Sequence, residues 1–251
     1  MYQLPSLDQM DENYRRLRYV RYADDFLLGF EGPKHEAEEI KELLRNFLAT
    51  QLDLQLSEEK TLITNAKEEP TKFLGYNVHI AWEDSKQTKQ IDGHKRRAVN
   101  GKPMLRVPQE TQRRWLNEFM EKGKPERKPE ILSMNDYDIV MWYQVQWLGL
   151  ANYYAMAVNV AGSLQQVKWI MEVSLVKTLA NKYRKSVKEI YRLYKYKPEN
   201  GNTGIRATLI RENKQALVAT FGTNPIQYRP VVTNISDYQF KPNVTVTQLS
   251  D

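Results

Sequence analysis

The sequence contains no cysteine, which removes disulfide frameworks, thiolate metal sites and cysteine nucleophiles from consideration. Its three histidines, His35, His79 and His94, lie far apart and show no metal-ligand spacing. No basic-then-apolar stretch at the start reads as a secretion signal. The expected setting is therefore intracellular and reducing, the cytoplasm or an organelle matrix or stroma. Charge is missing from one long stretch, since no Asp, Glu, Lys or Arg falls between Asp138 and Lys168. An apolar run of about 20 residues rising 1.5 Å per residue would span a bilayer. Gln144, Gln146, Asn152 and Asn159, together with Tyr143, Gly149, Tyr153, Tyr154 and Gly162, are too polar or too small to favour insertion, and no second such segment exists. A helix buried on most sides of a soluble bundle is expected instead, with no membrane partner.

What is present suits a folded chain. The 251 residues are enough for one large domain or two modest ones, and 41% hydrophobic content can build a core. The net charge of +6 conceals an asymmetry, because residues 1–70 hold 9 Lys/Arg against 15 Asp/Glu while residues 86–197 hold 22 against 10. An acidic front joined to a basic middle points toward nucleic acid, although surplus lysine also serves plain solvation.

Along the chain, "RYVRYADDFLLGF" (Arg18 to Phe30) reads as two short strands with a tight turn at the acids. Gly32-Pro33 breaks the strand, and Pro33 suits the first turn of a helix whose apolar stripe is Ala37, Ile40, Leu43, Leu44, Phe47 and Leu48, with Glu36, Glu38, Glu39 and Glu42 facing out. "LQLSEEKTLIT" and "TKFLGYNVHIAW" look like further strands. The polar, basic stretch 83–104 reads as a linker or an exposed excursion. Helix signals resume at Pro108 and stop near Gly123. Asn135-Asp136 can cap a long helix beginning "DYDIVMWYQVQWLGL", and Ser163 with Gln166, then Ser186 with Glu189, match the capping-box pattern that opens two more. "IRATLI" and "ALVATF" alternate around "RENKQ" as a β-hairpin. The expected class is α+β: strands and a helix over residues 1–85, a basic linker over 86–104, a helical bundle with a small hairpin over 105–225, and an extended or disordered tail over 226–251.

Two adjacent carboxylates, Asp24 and Asp25, in the middle of an apolar run repel one another and lose hydration. A divalent cation shared with substrate phosphates offsets that cost, Mg²⁺ in particular preferring one or two carboxylates plus phosphate oxygens. A solvated surface turn is the plain alternative, since Asp is common in turns.

"YADDF" within an apolar hairpin resembles the active-site motif of reverse transcriptases. "LSEEKTLIT" followed by "KFLGYNV" resembles the next two palm motifs of the group II intron reverse transcriptase–maturases. "LGLANYYAMAVN", "WIMEVSLVKTLANKYRKSV" and "ATLIREN…ALVATFG" are similar to the family's thumb or maturase domain (domain X) and its hairpin, so the resemblance runs over roughly residues 14–225. It implies the end of a palm followed by a helical thumb. It further implies that Asp24 ligates catalytic Mg²⁺ with Asp25 as partner, that Lys60 stabilises departing pyrophosphate, and that Tyr22 and Ala23 lie beside the primer end. Phe73, Leu74, Gly75 and Tyr76 match the primer-grip region. The family's other metal-binding aspartate lies on an upstream strand, and neither Asp8 nor Asp11 sits in a convincing strand. The expectation is therefore a fragment, split protein or degenerate copy that does not polymerise alone and is completed, where it is completed, by an upstream fingers–palm polypeptide.

Residues 177–197 carry eight Lys/Arg and one acid, Glu189, with Tyr183, Tyr191, Tyr194 and Tyr196 interleaved. Lys177, Lys182, Arg184, Lys185, Lys188 and Arg192 suit a phosphate backbone, and Tyr183 suits an unpaired base, although Tyr194 also falls on the apolar stripe. The resemblance points this patch at group II intron RNA or an RNA/DNA template–primer, and Tyr153 and Tyr154 are read as buried spacers.

Overall fold

The computed structural model describes residues 13–82 and 101–230, with the backbone of 87–89 and 95–97. Asp8 and Asp11, residues 86, 90–94 and 98–100 of the basic stretch and residues 231–251 of the expected tail lie outside the described residues. The chain divides into two compact units, Met1–Pro108 and Gln109–Asp251, and its class is α+β, as expected.

In the first unit, β1 (Arg16–Tyr22) and β2 (Asp25–Glu31) form an antiparallel hairpin whose pairing runs from Arg16 opposite Glu31 to Tyr22 opposite Asp25. That register confines the turn to Ala23 and Asp24, with Ala23 in the left-handed region at φ 52°. Pro33 (φ −70°) precedes α1 (Lys34–Leu52), where its missing N–H leaves no helix bond unmade. The α1 stripe is only partly covered. Ala37, Ile40, Leu44 and Leu48 are half-buried, whereas Leu43 and Phe47 are exposed. Glu36 does not face solvent freely but takes two hydrogen bonds from Arg15, at 2.5 and 2.7 Å, and these hold its carboxyl below the usual range.

The expected strand in "LQLSEEKTLIT" is absent. Lys41 reaches across from α1 to the Thr61 carbonyl (2.7 Å), Thr61 N–H bonds the Ser57 carbonyl (2.9 Å), and Arg45 pairs with Glu58, so a turn and α1 side chains take the place of a ladder. β3 (Thr71–Phe73) and β4 (Tyr76–Ala81) pair through a two-residue turn, Leu74-Gly75, at φ 47° and 71°. The stretch read as a linker carries strands: β5 (Gln87–Lys89) pairs with β6 (Lys95–Arg97), and β7 (Lys102–Arg106) adds to β4, giving the order β3-β4-β7. Backbone pairing makes this sheet edge, with little apolar alternation to announce it.

The second unit opens with α2 (Gln109–Glu118) and a ribbon of β8 (Met120–Glu121) and β9 (Lys124–Pro125). Gly123 makes the turn of that ribbon at φ 76° and is not the helix stop. After one 3-10 turn (Pro129–Ile131) comes α3 (Asp136–Tyr153), capped by the Asn135 side chain accepting from Asp138 N–H at 2.9 Å. The uncharged run breaks into two helices. Turns at Tyr154 to Asn159 separate α3 from α4 (Val160–Tyr183), which starts ahead of Ser163, so the expected cap lies inside the helix. Ser186 does open α5 (Val187–Tyr194), with both halves of the capping box formed. β10 (Lys195–Tyr196), β11 (Gly204–Arg211) and β12 (Lys214–Phe221) close the unit as one antiparallel sheet. At Gly204 a Cβ would run into the Phe221 carbonyl oxygen, so glycine is required for this approach.

The core lies between α3, α4 and the hairpin: Ile139, Tyr143, Trp147, Leu164, Met171, Leu175 and Phe221 are all essentially inaccessible. Tyr143 stands between Phe119 and Phe221, with ring centroids at 5.6 and 6.3 Å, and its hydroxyl bonds Ser174 (2.8 Å) and Thr178 (3.1 Å). Burial pushes that hydroxyl up to about 12. Among the described residues no helix is long and apolar enough to cross a membrane. Of the expected tail, residues 226–230 have no regular structure, and Arg229 N–H is tied to the Ala155 carbonyl at 2.8 Å.

Candidate nucleic-acid interface and acidic hairpin

Each unit holds one of the sequence-predicted sites. In the first, Asp24 occupies the β1–β2 turn and Asp25 opens β2, both exposed. Arg21 Nε donates to the Ala23 carbonyl at 2.6 Å and straps the turn from beneath, while Tyr19 and Phe26 pack their rings at 6.4 Å along the hairpin. Tyr22 is 66% exposed beside the acids, an unusual position for an aromatic ring without a covering partner. Lys60 lies exposed in the turn after α1. Phe73, Leu74, Gly75 and Tyr76 are the corner of a hairpin and not the centre of a strand, with Tyr76 buried and Gly75 exposed. Among the described residues no group of three or more His, Asp or Glu that could hold a metal ion is assembled. Two adjacent carboxylates match the way Mg²⁺ is bound through one or two acids plus phosphate oxygens, and do not make an all-protein cage.

In the second unit, the expected phosphate-binding residues separate into two sets. Lys177 donates to the Pro125 carbonyl at 2.6 Å, and Lys182 donates to the Met134 carbonyl (2.6 Å) and to Asp136 (2.8 Å). Tyr183 also bonds Asp136, through both carboxylate oxygens at 2.7 Å, and Tyr194 donates a third hydroxyl bond to it. Burial pushes the Asp136 carboxyl up, but the hydrogen bonds from Lys182, Tyr194 and Tyr183 outweigh it and hold the group below its usual value. These residues fasten the end of α4 and α5 onto the start of α3. Tyr191 bonds Glu172 (3.3 Å), and the Tyr196 ring lies under Arg206 at 4.3 Å. By contrast the side chains of Arg184, Lys185, Lys188 and Arg192 are exposed and make no hydrogen bond or ion pair among the described residues. Of the two residues read as spacers, Tyr154 is buried but Tyr153 is 52% exposed.

Sequence reasoning missed the buried Lys168, which donates to the Asn224 carbonyl at 3.2 Å. Burial lowers its ammonium and raises the carboxyl of nearby Glu172. It also missed Asp136 as a hub, for which tyrosines recurring on a basic helical stripe were the available signal.

The family model for type II intron maturases matches residues 105–237, and that for reverse transcriptases (RNA-dependent DNA polymerases) matches residues 4–78. The group II intron-encoded protein LtrA of Lactococcus lactis subsp. cremoris is 30% identical over 238 residues, covering 90% of this chain and 38% of the relative. The putative COX1/OXI3 intron 1 protein of Saccharomyces cerevisiae is 31% identical over 255 residues, covering 97% of this chain and 29% of that protein. Maturase K of Fagopyrum esculentum is 22% identical over 180 residues, covering 68% and 35%. The chain thus spans less than two-fifths of the length of these relatives. With more than half of its residues matched by one family model, the chain belongs to the type II intron maturases.

Proposed function

We propose that this chain binds group II intron RNA and assists its splicing, through the cationic end of α4 and the outer face of α5. The observation that carries the reading is that the side chains of Arg184, Lys185, Lys188 and Arg192 are exposed and free of hydrogen bonds and ion pairs among the described residues, within the region matched to maturases. Cations that a fold does not use internally are the ones able to release counterions from a polynucleotide, so binding should weaken steeply with salt. The test is binding of a structured intron RNA across a salt series. Replacing Lys185, Lys188 and Arg192 together by Ala should flatten the slope of log K against log salt by about 0.7 to 0.9 for each phosphate that is no longer neutralised. An unchanged slope would count against the reading.

A second reading, Mg²⁺-dependent nucleotidyl transfer, is favoured by the strapped turn that presents Asp24 and Asp25 together with the match to reverse transcriptases. In it Asp24 and Asp25 hold Mg²⁺, Lys60 faces the triphosphate, Tyr22 and Ala23 lie at the primer end, and Phe73 to Tyr76 grip the primer. Bound Mg²⁺ would supply charge neutralisation at the phosphates, and the protein's part is to hold two carboxylates on a stiff corner. Supplying a fingers–palm polypeptide in trans should then yield nucleotide incorporation, and Asp24→Asn should abolish it. No incorporation with either version would reject this activity and leave RNA binding untouched. An intracellular setting, with intron RNA at hand, belongs to both readings.

A further inference from the structure

Arg184 stands where a helix usually ends in glycine. Its backbone is left-handed (φ 52°, ψ 40°). Lys185 N–H returns to the Ala180 carbonyl at 3.0 Å and Arg184 N–H to the Asn181 carbonyl at 3.3 Å, the two bonds of a Schellman closure. A side chain is disfavoured there because its Cβ crowds the following carbonyl, which is why glycine or asparagine is the common choice. Nothing inside the fold compensates, since the Arg184 guanidinium has no hydrogen-bond or ion-pair partner among the described residues. Asp53 ends α1 in the same left-handed conformation, so the backbone alone assigns no role; what Arg184 adds is an exposed guanidinium that the fold does not use.

Arg184 lines an open cleft of about 410 Å³ with Glu126, Arg127, Lys177, Ala180, Asn181 and Lys185. Its walls come from two places, the connection after β9 and the last turns of α4 with the two residues that follow. Glu126 is the one acid, 3.6 Å from Arg127 and 4.0 Å from Lys177, facing four cations. The end of α4 contributes the equivalent of about half a negative charge, too little to cancel the remaining surplus of three positive charges. Ala180 is the single apolar lining residue, so the cleft does not suit an apolar ligand. Two guanidiniums lining one cleft, one from each wall segment, do suit the oxygens of a phosphate, which they bind in planar, paired fashion.

We infer that this cleft seats a single phosphate, a phosphodiester of bound RNA, held between Arg127 and Arg184 with Asn181 and Lys185 at its rim. The inference rests on the RNA-binding reading and adds to it a site and a residue, Arg127. The full chain is tested as the parent, Arg184→Gly, Arg127→Ala and the double variant, by melting temperature, affinity for a structured intron RNA, and stabilisation by inorganic phosphate. Arg184→Gly should melt at or above the parent temperature, because glycine relieves the helix end, and yet bind RNA about tenfold more weakly. The double variant should lose less than the product of the single losses, because both arms hold one phosphate. If both single variants bind RNA like the parent while Lys188→Ala with Arg192→Ala does not, the cleft is not the seat and the RNA reading stands. Should the parent bind no RNA but gain melting temperature from phosphate, with Arg184→Gly losing that gain, the seat holds for free phosphate and the RNA assignment is overturned. Response to neither probe overturns both.

Discussion

Asp136 ties three helices of the second unit together. It lies in the first turn of α3, where the helix dipole favours a negative charge, and accepts from Lys182, Tyr183 and Tyr194 on two other helices. Its folded carboxyl titrates below the unfolded value of 3.8, so its contribution is fully present above that pH and drains away as pH falls through the lower folded value. Asp136→Ala should therefore cost about 1 to 2 kcal/mol at pH 7, since it removes the carboxylate that Lys182, Tyr183 and Tyr194 share at a partly solvated site. In urea unfolding the gap between variant and parent should narrow below pH 3.8; a gap of equal size at both pH values would show that packing and not charge is at stake. This residue also marks where the sequence stopped being informative. Lys182 and Tyr183 lie in a run of cations and tyrosines, and composition cannot distinguish a lysine that meets RNA from one that meets an aspartate 46 residues upstream.

At the scale of elements, local signals succeeded where the neighbours agreed with them. Ser186 and Glu189 form the capping box that their spacing announces, because Arg184 has already ended α4 and the chain must start again. Ser163 and Gln166 show the same spacing and cap nothing. The turns at Tyr154 to Asn159 deliver the chain into helix at Val160, and the burial of Val160 and Leu164 fixes that earlier start. Ser186→Ala should accordingly cost about 1 kcal/mol in thermal or urea unfolding, and Ser163→Ala less than about half of that. Equal losses would mean that the pattern and not its geometry matters. The β1–β2 and β11–β12 hairpins were legible for the same reason, with apolar alternation and turn residues pointing to one register. β5, β6 and β7 were not, because a strand made by backbone pairing to β4 or to a neighbouring basic segment has no periodicity of its own to read.

Across the whole chain, charge asymmetry was visible in the sequence but the unequal distribution of core was not. Among the described residues, Tyr76, Val107 and Pro108 are the only buried apolar side chains before Gln109, while α1 buries none. Leu17, Tyr19, Val20, Tyr22, Leu43 and Phe47 are all more than half exposed. Helices and hairpins with little buried apolar area open at low free energy, whereas α3 and α4, sealed by Trp147, Tyr143 and Phe221, open only near the global limit. Hydrogen exchange followed by mass spectrometry should therefore find α1 and the β1–β2 hairpin exchanging orders of magnitude faster than α3 and α4. The exposed apolar faces also suit a protein surface. A fingers–palm polypeptide added in trans should slow exchange in α1 and β1–β2 and leave α3 unchanged, whereas intron RNA should slow residues 184–192 and leave α1 unchanged. Protection of α1 by RNA alone would mean that the front of the first unit, despite its 15 acids over residues 1–70, meets the polynucleotide directly, and the division of labour between the units would have to be redrawn.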